Sequence, residues 1–254
     1  MVAEPELTWH DDGVLGCEVG GASVRFTGRA GGVSRPPYAS LNLGSWTDDA
    51  PDAVAENRRR LAALAAVGPE RLAQARQVHG TEVLLVERDD DLPGGALERV
   101  READGTATAL PGTPCVVLCA DCLPVALVAD GAVAMVHAGW RGLVGGVLER
   151  GLERLRGAGG RGPVTAVVGP GARGCCYEVG EEVHAALADL GPAVRRGANA
   201  DLGEAARARL ARAGVERTLV APCCTICDGE RWFSHRRDRG TTGRQAGIAW
   251  LRRA

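Results

Sequence analysis

Lysine is absent from this 254-residue chain, and all 30 of its basic side chains are arginine. Beside so much Ala and Gly, that bias reads as the mark of a GC-rich genome, so an arginine alone signals little. An excess of charge of either sign is also missing. The formal net charge is −2, which removes the electrostatic case for nucleic acid or a membrane surface as partner. No stretch approaches the roughly 20 apolar residues of a membrane span. The opening MVAEPELTWHDDG is acidic and has no apolar centre, so it does not read as a secretion signal. Histidine is scarce as well: five imidazoles are too few to build a multicopper cluster within one chain. Internal repeats, low-complexity tracts and linkers are lacking, and the simplest organisation is a single domain over residues 1–254.

What is present is an ordinary globular balance of 45% hydrophobic and 24% charged residues, long enough to bury a sizeable core. The nine cysteines are an odd number without a secretion signal, which predicts reduced thiols and a cytoplasmic protein. Periodicity predicts a hairpin over 14–27 turned at Gly20-Gly21, then a long Gly/Pro/Ser-rich loop. Asp49 is expected to cap a helix whose apolar face is Val54, Leu61, Leu64 and Ala65. A short helix is expected from Pro69 and a strand over Val83–Val86. A charged surface crossing over 88–113, with a turn at Asp104-Gly105, should follow. Helices are expected over Leu143–Arg156, Val179–Leu190 and Leu202–Ala213. The remaining strands are expected at Val164–Val168, Leu219–Ala221, Trp232–Ser234 and Ile248–Leu251. The fold class is therefore α/β (α+β), with mixed β-sheets flanked by helices.

One stretch, CVVLCADCLPVALVADGAVAMVHAGWRG over 115–142, organises the rest. Its Val/Leu/Ala runs predict strands buried on both faces, paired through a hairpin at Asp130-Gly131. The same stretch carries Asp121, Cys122, His137, Trp140 and Arg141, and ionisable groups are costly to bury without a partner or a task. A thiolate beside an imidazole suits zinc. His79, at a Gly-marked kink in QVHG, would complete a set of two imidazoles and one thiolate and leave a fourth position open. Spacing alone leaves another account standing, with His79 a turn residue and Cys122 a core thiol. His10 and His184 read as uninvolved. Cys224 and Cys227 form a Cys-x-x-Cys, and Cys119 and Cys122 another, so a four-thiolate zinc is arithmetically available. Buried small thiols in a loop are the simpler account. An ordinary bridge between the adjacent Cys175 and Cys176 would be strained.

Arginines in glycine loops form a second set: Arg29, Arg141, Arg236, Arg237, Arg239 and Arg244. A guanidinium fork can hold phosphate oxygens in pairs, although solvated surface charge accounts for most such residues.

Across nearly its whole length the chain resembles the bacterial YfiH/YlmD proteins, related to the human laccase domain-containing protein and formerly called multicopper polyphenol oxidases. The resemblance rests on GGVSRPPYASLNLG, VAENRRRL, QVHGTEV, ADCLPVAL, HAGWRGL, GPGARGCCYEVGEEV and CTICDGERWFSHRRDRGTTGRQ, in that order. It departs from the usual pattern at Thr27-Gly28-Arg29, where Ser-Thr-Arg is common, but keeps Arg29. The resemblance implies zinc held by His79, Cys122 and His137, with copper an older attribution that the histidine count disfavours. It implies phosphorolysis of adenosine, inosine and methylthioadenosine, together with adenosine deamination. It also implies mixed sheets flanked by helices, like the fold of a class of deamidating toxins.

Deamination needs a nucleophilic water at C6 of the purine, which zinc makes available near neutral pH. Phosphorolysis needs phosphate beside C1′ and stabilisation of the departing base. Arg141, Arg29, Arg236 and Arg237 are the candidate phosphate and substrate contacts, and Asn42 a candidate ribose or base partner. Asp121 and Glu178 are candidate proton donors. Three rival readings remain: a cysteine hydrolase with a Cys122/His137 dyad, a copper polyphenol oxidase, and a nucleoside-binding module without turnover.

Overall fold

Strict alternation along the central strands sends side chains to two different apolar interiors, and that alternation fixes the layering. A computed structural model describes residues 5–10, 13–92 and 100–253. The first of two six-stranded mixed sheets contains β1 (Thr8–Trp9), β2 (Leu15–Val19), β3 (Ala22–Phe26), β4 (Ala73–Gln74), β7 (Cys115–Cys119) and β14 (Gln245–Leu251). Their order across the sheet is β1-β2-β3-β14-β7-β4. The second sheet contains β5 (Leu84–Val86), β6 (Gly105–Thr108), β8 (Leu123–Asp130), β9 (Ala132–Ala138), β10 (Arg161–Val168) and β13 (Arg217–Val220). Its order is β13-β10-β8-β9-β6-β5. A small ribbon pairs β11 (Arg195–Arg196) with β12 (Asn199–Ala200).

Val117 and Cys119 of β7 face Val133 and Met135 of β9 across the gap between the sheets, where Val24, Phe26 and Val128 also lie. The alternate residues Val116 and Leu118 point the other way. They pack with Ile248 and Trp250 against Leu61 and Ala62 of α1 (Pro51–Ala63). Ala134 and Val136 of β9 likewise turn outward, toward α3 (Val147–Gly157) and α5 (Leu202–Arg212). Four layers result, helix–sheet–sheet–helices, with β8 and β9 inside; this explains why their sequence is apolar on both faces. Gly131 reverses the β8–β9 hairpin at φ 78°, a conformation that side-chain-bearing residues seldom adopt. Among the described residues no helix is long and apolar enough to cross a membrane.

Several elements differ from expectation, each for a local reason. The helix expected over Leu143–Arg156 is two, α2 (Trp140–Gly145) and α3, because Gly146 turns left-handed at φ 95°. The Val179–Leu190 helix is α4 (Glu181–Leu187) followed by a 3₁₀ turn at Ala188–Leu190. Asp49 does not cap α1. Ala50 occupies that position with no side-chain bond, and Pro51 starts the helix. Trp232–Ser234 is not a strand: the Phe233 amide donates to the Gln245 side chain and the Trp232 amide to the Asp228 carbonyl. Asp104-Gly105 does not turn a hairpin: Asp104 is fully buried immediately before β6, which starts at Gly105. Residues 93–99 of the expected surface crossing lie outside the described residues.

Two connections cross from the first sheet to the second: β4 to β5, which contains His79, and β7 to β8, which contains Asp121 and Cys122. The sheet-crossing segments and the end of β9 define the site.

Candidate metal centre and its cleft

Cys122 immediately precedes β8, and His137 is the penultimate residue of β9, where it pairs with Pro124. The same alternation that sends Val133 and Met135 between the sheets sends His137 to that side, at the open end. His79 reaches them from the opposite connection, with its backbone held at φ 59°. The donor atoms of His79, Cys122 and His137 lie within 4.8 Å of one another, and the two imidazoles meet edge to face at 4.9 Å. Burial is graded: His137 is buried, Cys122 half-buried and His79 exposed, so the cluster opens on one side.

A single carboxylate organises this group. One oxygen of Asp104 bonds His137 Nδ1 at 2.7 Å and accepts the His79 amide at 3.0 Å. The other accepts the amides of Gly80 at 2.6 Å and Val78 at 3.2 Å. Left-handed backbone at a non-glycine residue is disfavoured, and these bonds hold it at His79. The carboxylate also fixes the imidazole so that Nε2 is the nitrogen left for the cluster, the arrangement common behind metal-bound histidines. Burial disfavours the Asp104 carboxylate, yet His137 and the two amides hold it below the ordinary range. Burial likewise opposes ionisation of Cys122, but His137 and His79 overcome it and bring the thiol down to about 6. Burial alone would lower His137, whereas Cys122 and Asp104 raise it to about 9. The cluster thus favours a thiolate, the form in which cysteine binds metals or attacks electrophiles.

The cluster opens into a cavity of about 470 Å³ lined also by Trp46, Trp140, Tyr177, Arg141, Arg236 and Arg244. The Arg141 guanidinium lies over Trp140 at 4.4 Å, and that of Arg236 over Tyr177 at 5.0 Å. Of the arginines singled out by sequence, the cleft therefore receives Arg141, Arg236 and Arg244. Arg29 sits elsewhere, donating to the Ala39 and Gly229 carbonyls and lying over Phe233. Arg237 is tied to Asp238 and to the Thr225 and Trp232 carbonyls. Asn42 is a correction of the same kind. It is fully buried, and its amide bonds Thr47, Asp49 and the amides of Gly44 and Arg244. That leaves no group to offer a ribose; instead it anchors the chain behind Arg244.

Asp121 lines the cavity, but its two oxygens accept from the Thr225 hydroxyl and the Arg236 amide, both at 2.7 Å, so it is placed as an acceptor. Glu178 is exposed and outside the cavity lining. Sequence reasoning did not assign Asp104, Tyr177, Gln77 or His235 to the site. Asp104 was masked by its Asp-Gly context, which resembles a hairpin turn. His184 is a satisfied core histidine bonded to the Ala198 carbonyl at 3.2 Å. Cys224 and Cys227 do not join Cys119 and Cys122; they lie with Cys175 and Cys176.

Residues 23–252 match the family described as multi-copper polyphenol oxidoreductase laccase. The chain is 41% identical over 241 residues to a Streptomyces griseus protein named purine nucleoside phosphorylase ORF3, covering 91% of this chain and 95% of that one. It is 40% identical over 240 residues to Escherichia coli K12 purine nucleoside phosphorylase YfiH, covering 91% and 94%. Its fold is similar to the crystal structure of YlmD from Geobacillus stearothermophilus, with a TM-score of 0.89, 33% identity and 97% and 99% of the two chains covered. With the match taking in the whole second sheet, most of the first and every residue of the cleft, the chain belongs to the laccase-domain family that includes YfiH.

Proposed function

We propose that this chain is a zinc-dependent purine nucleoside phosphorylase of the cytoplasm. It would convert adenosine, inosine or methylthioadenosine and phosphate into the free base and ribose 1-phosphate, and would also deaminate adenosine. The observation that carries the reading is that the three-donor cluster opens into the same cavity as Arg141, Arg236 and Arg244. The names of the YfiH relatives support it.

Two imidazoles and one thiolate form a donor set typical of catalytic zinc with one position left for substrate or water. When bound there, zinc supplies Lewis acidity toward the atom it touches. The chain's own groups account for the rest. Asp104 fixes the His137 ring and the His79 backbone before substrate arrives, which limits reorganisation on binding. The Trp46, Trp140 and Tyr177 rings that line the cavity offer flat apolar faces to a purine. Arg141 and Arg236, each lying over one of those rings, offer N–H forks to phosphate beside C1′. The departing base must take a proton at N7. Beyond the donor cluster, His235 and Tyr177 are the lining residues with a proton to transfer there.

The test is to follow inosine cleavage with and without phosphate, on protein whose zinc has been quantified. Ribose 1-phosphate formed in step with zinc content is the expected outcome. Free ribose, or indifference to phosphate, would make the chain a hydrolase.

A second reading is favoured by one feature: Cys122 and His137 lie side by side and each favours the charged form of the other, the pairing that cysteine hydrolases use. Metal-free protein that keeps its activity and loses it on alkylation of Cys122 would establish that reading instead.

A further inference from the structure

The loops after β10 and β13 each bring a pair of thiols to one point. Cys175 and Cys176 come from GARGCCYEVG, and Cys224 and Cys227 from APCCTICDGE. All four sulfurs lie within 4.8 Å of one another. Cys176 Sγ is 3.0 Å from Cys227 Sγ and 3.4 Å from Cys224 Sγ, while Cys175 Sγ is 3.3 Å from Cys227 Sγ and 3.6 Å from Cys176 Sγ. A disulfide needs one pair at about 2 Å and leaves the other sulfurs uninvolved. A tetrahedral ion with metal–sulfur bonds of about 2.3 Å instead spaces four sulfurs about 3.8 Å apart along every edge. Four mutually close thiols fit the second requirement. We infer that Cys175, Cys176, Cys224 and Cys227 hold a structural zinc ion as a closed tetrathiolate, separate from the cleft cluster.

No carboxylate belongs to the group of donors. The two loops are in register before any ion arrives: Gly171 bridges Cys224, and the Thr225 amide donates to the Gly171 carbonyl at 3.1 Å.

The position gives the ion a job. Tyr177 follows Cys176 by one residue and lines the cleft, while Thr225 follows Cys224 and bonds Asp121 in the cleft. An ion clamping the thiols therefore sets the wall against which Tyr177 rests. Tyr177 is then positioned by the four cysteines, none of which is itself a lining residue of the cleft.

The experiment counts metal in protein purified without chelator. Wild type should carry about two zinc ions per chain, and Cys122→Ser should retain about one. Cobalt-substituted Cys122→Ser should keep an intense sulfur-to-cobalt charge-transfer band, whose strength grows with the number of thiolates. A Cys224→Ser/Cys227→Ser double variant should lose most of the band's intensity, keeping only what the single Cys122 thiolate contributes, and raise the KM for inosine several-fold more than it lowers kcat. If the double variant does not fold, Cys122→Ser alone decides. Cys122→Ser protein with no metal overturns the proposal, as does a disulfide among these four cysteines in freshly isolated protein.

Discussion

Two groups of soft donors flank one cleft, and they are built on opposite plans. The His79/Cys122/His137 group takes its donors from two sheet crossings and a strand end, mixes nitrogen with sulfur, and leaves one side open to a cavity. The Cys175/Cys176/Cys224/Cys227 group takes four like donors from two loops, and none of them reaches the cavity. The first group has a carboxylate behind it that orients each imidazole-bearing segment. The second needs none, because sulfur has no second atom to orient. Openness and elaborate backing belong to chemistry, closure and uniformity to construction.

The sharpest way to break this contrast is Cys122→Ser. Phosphorolysis should fall at least about a hundredfold, as expected for loss of a metal ligand, while the thermal midpoint shifts by only a few degrees. Calorimetry showing collapse of the fold would put Cys122 in the constructional class and erase the distinction. Asp104→Asn should come next, reducing zinc affinity or activity about ten- to hundredfold without emptying the tetrathiolate. Competitive chelator titration reads the two groups separately, and equal weakening of both would contradict the assignment of Asp104 to one of them.

Arg141→Lys tests the cleft rather than the donors. Charge-assisted bonds contribute about 1.5–3 kcal/mol, so losing the planar fork should raise the phosphate KM about tenfold. Unchanged phosphate dependence would move the anion contact to Arg236 or Arg244. The smallest effect belongs to Glu82, which ties the segment after His79 to Arg154 and Arg150 of α3. The Arg154 bond, more than offsetting a little burial, holds the Glu82 carboxyl below its usual value. A depressed carboxylate contributes stability above its ordinary pKa of about 4.3 and loses it as pH falls through the folded value. Glu82→Gln should therefore lower the denaturation midpoint slightly at pH 7, and the deficit should shrink steadily as pH falls below about 4.3. A deficit that persists in acid would place its origin in packing.

How legible the molecule was depended on how far apart its partners lie. Alternation in 115–138 announces two-sided strands because period two is a local property, and the hairpin at Gly131 needs only its own dihedral angles. Cys122 and His137 come together because β8 and β9 are sequential. Asp104 was illegible for the opposite reason. Its meaning lies in amides at 78–80 and a ring at 137, contacts that no local window contains, while Asp-Gly locally mimics a turn. Asn42 looked available because a loop asparagine usually is, yet four partners up to 202 positions away exhaust its amide. The thiols show the same limit. Cys-x-x-Cys can be counted from sequence, but which second pair it meets is decided by where β10 and β13 end.

The crossings from one sheet to the other have a mechanical consequence. Ladder hydrogen bonds run within each sheet, and the interior between the sheets is filled by side chains such as Val117, Phe26 and Met135, with hydrogen bonds crossing beside β4 and β6, among them Thr106 Oγ1 to the Ala73 carbonyl at 3.0 Å. Dispersion contacts of that kind resist separation well but sliding poorly. His79 and Cys122 sit on two of the straps that bridge the layers, and His137 sits on one layer alone. A shearing load between the layers would therefore distort the triangle of donors before it unzipped a single strand, and a ligand seated in that triangle would act as a rivet against the slip.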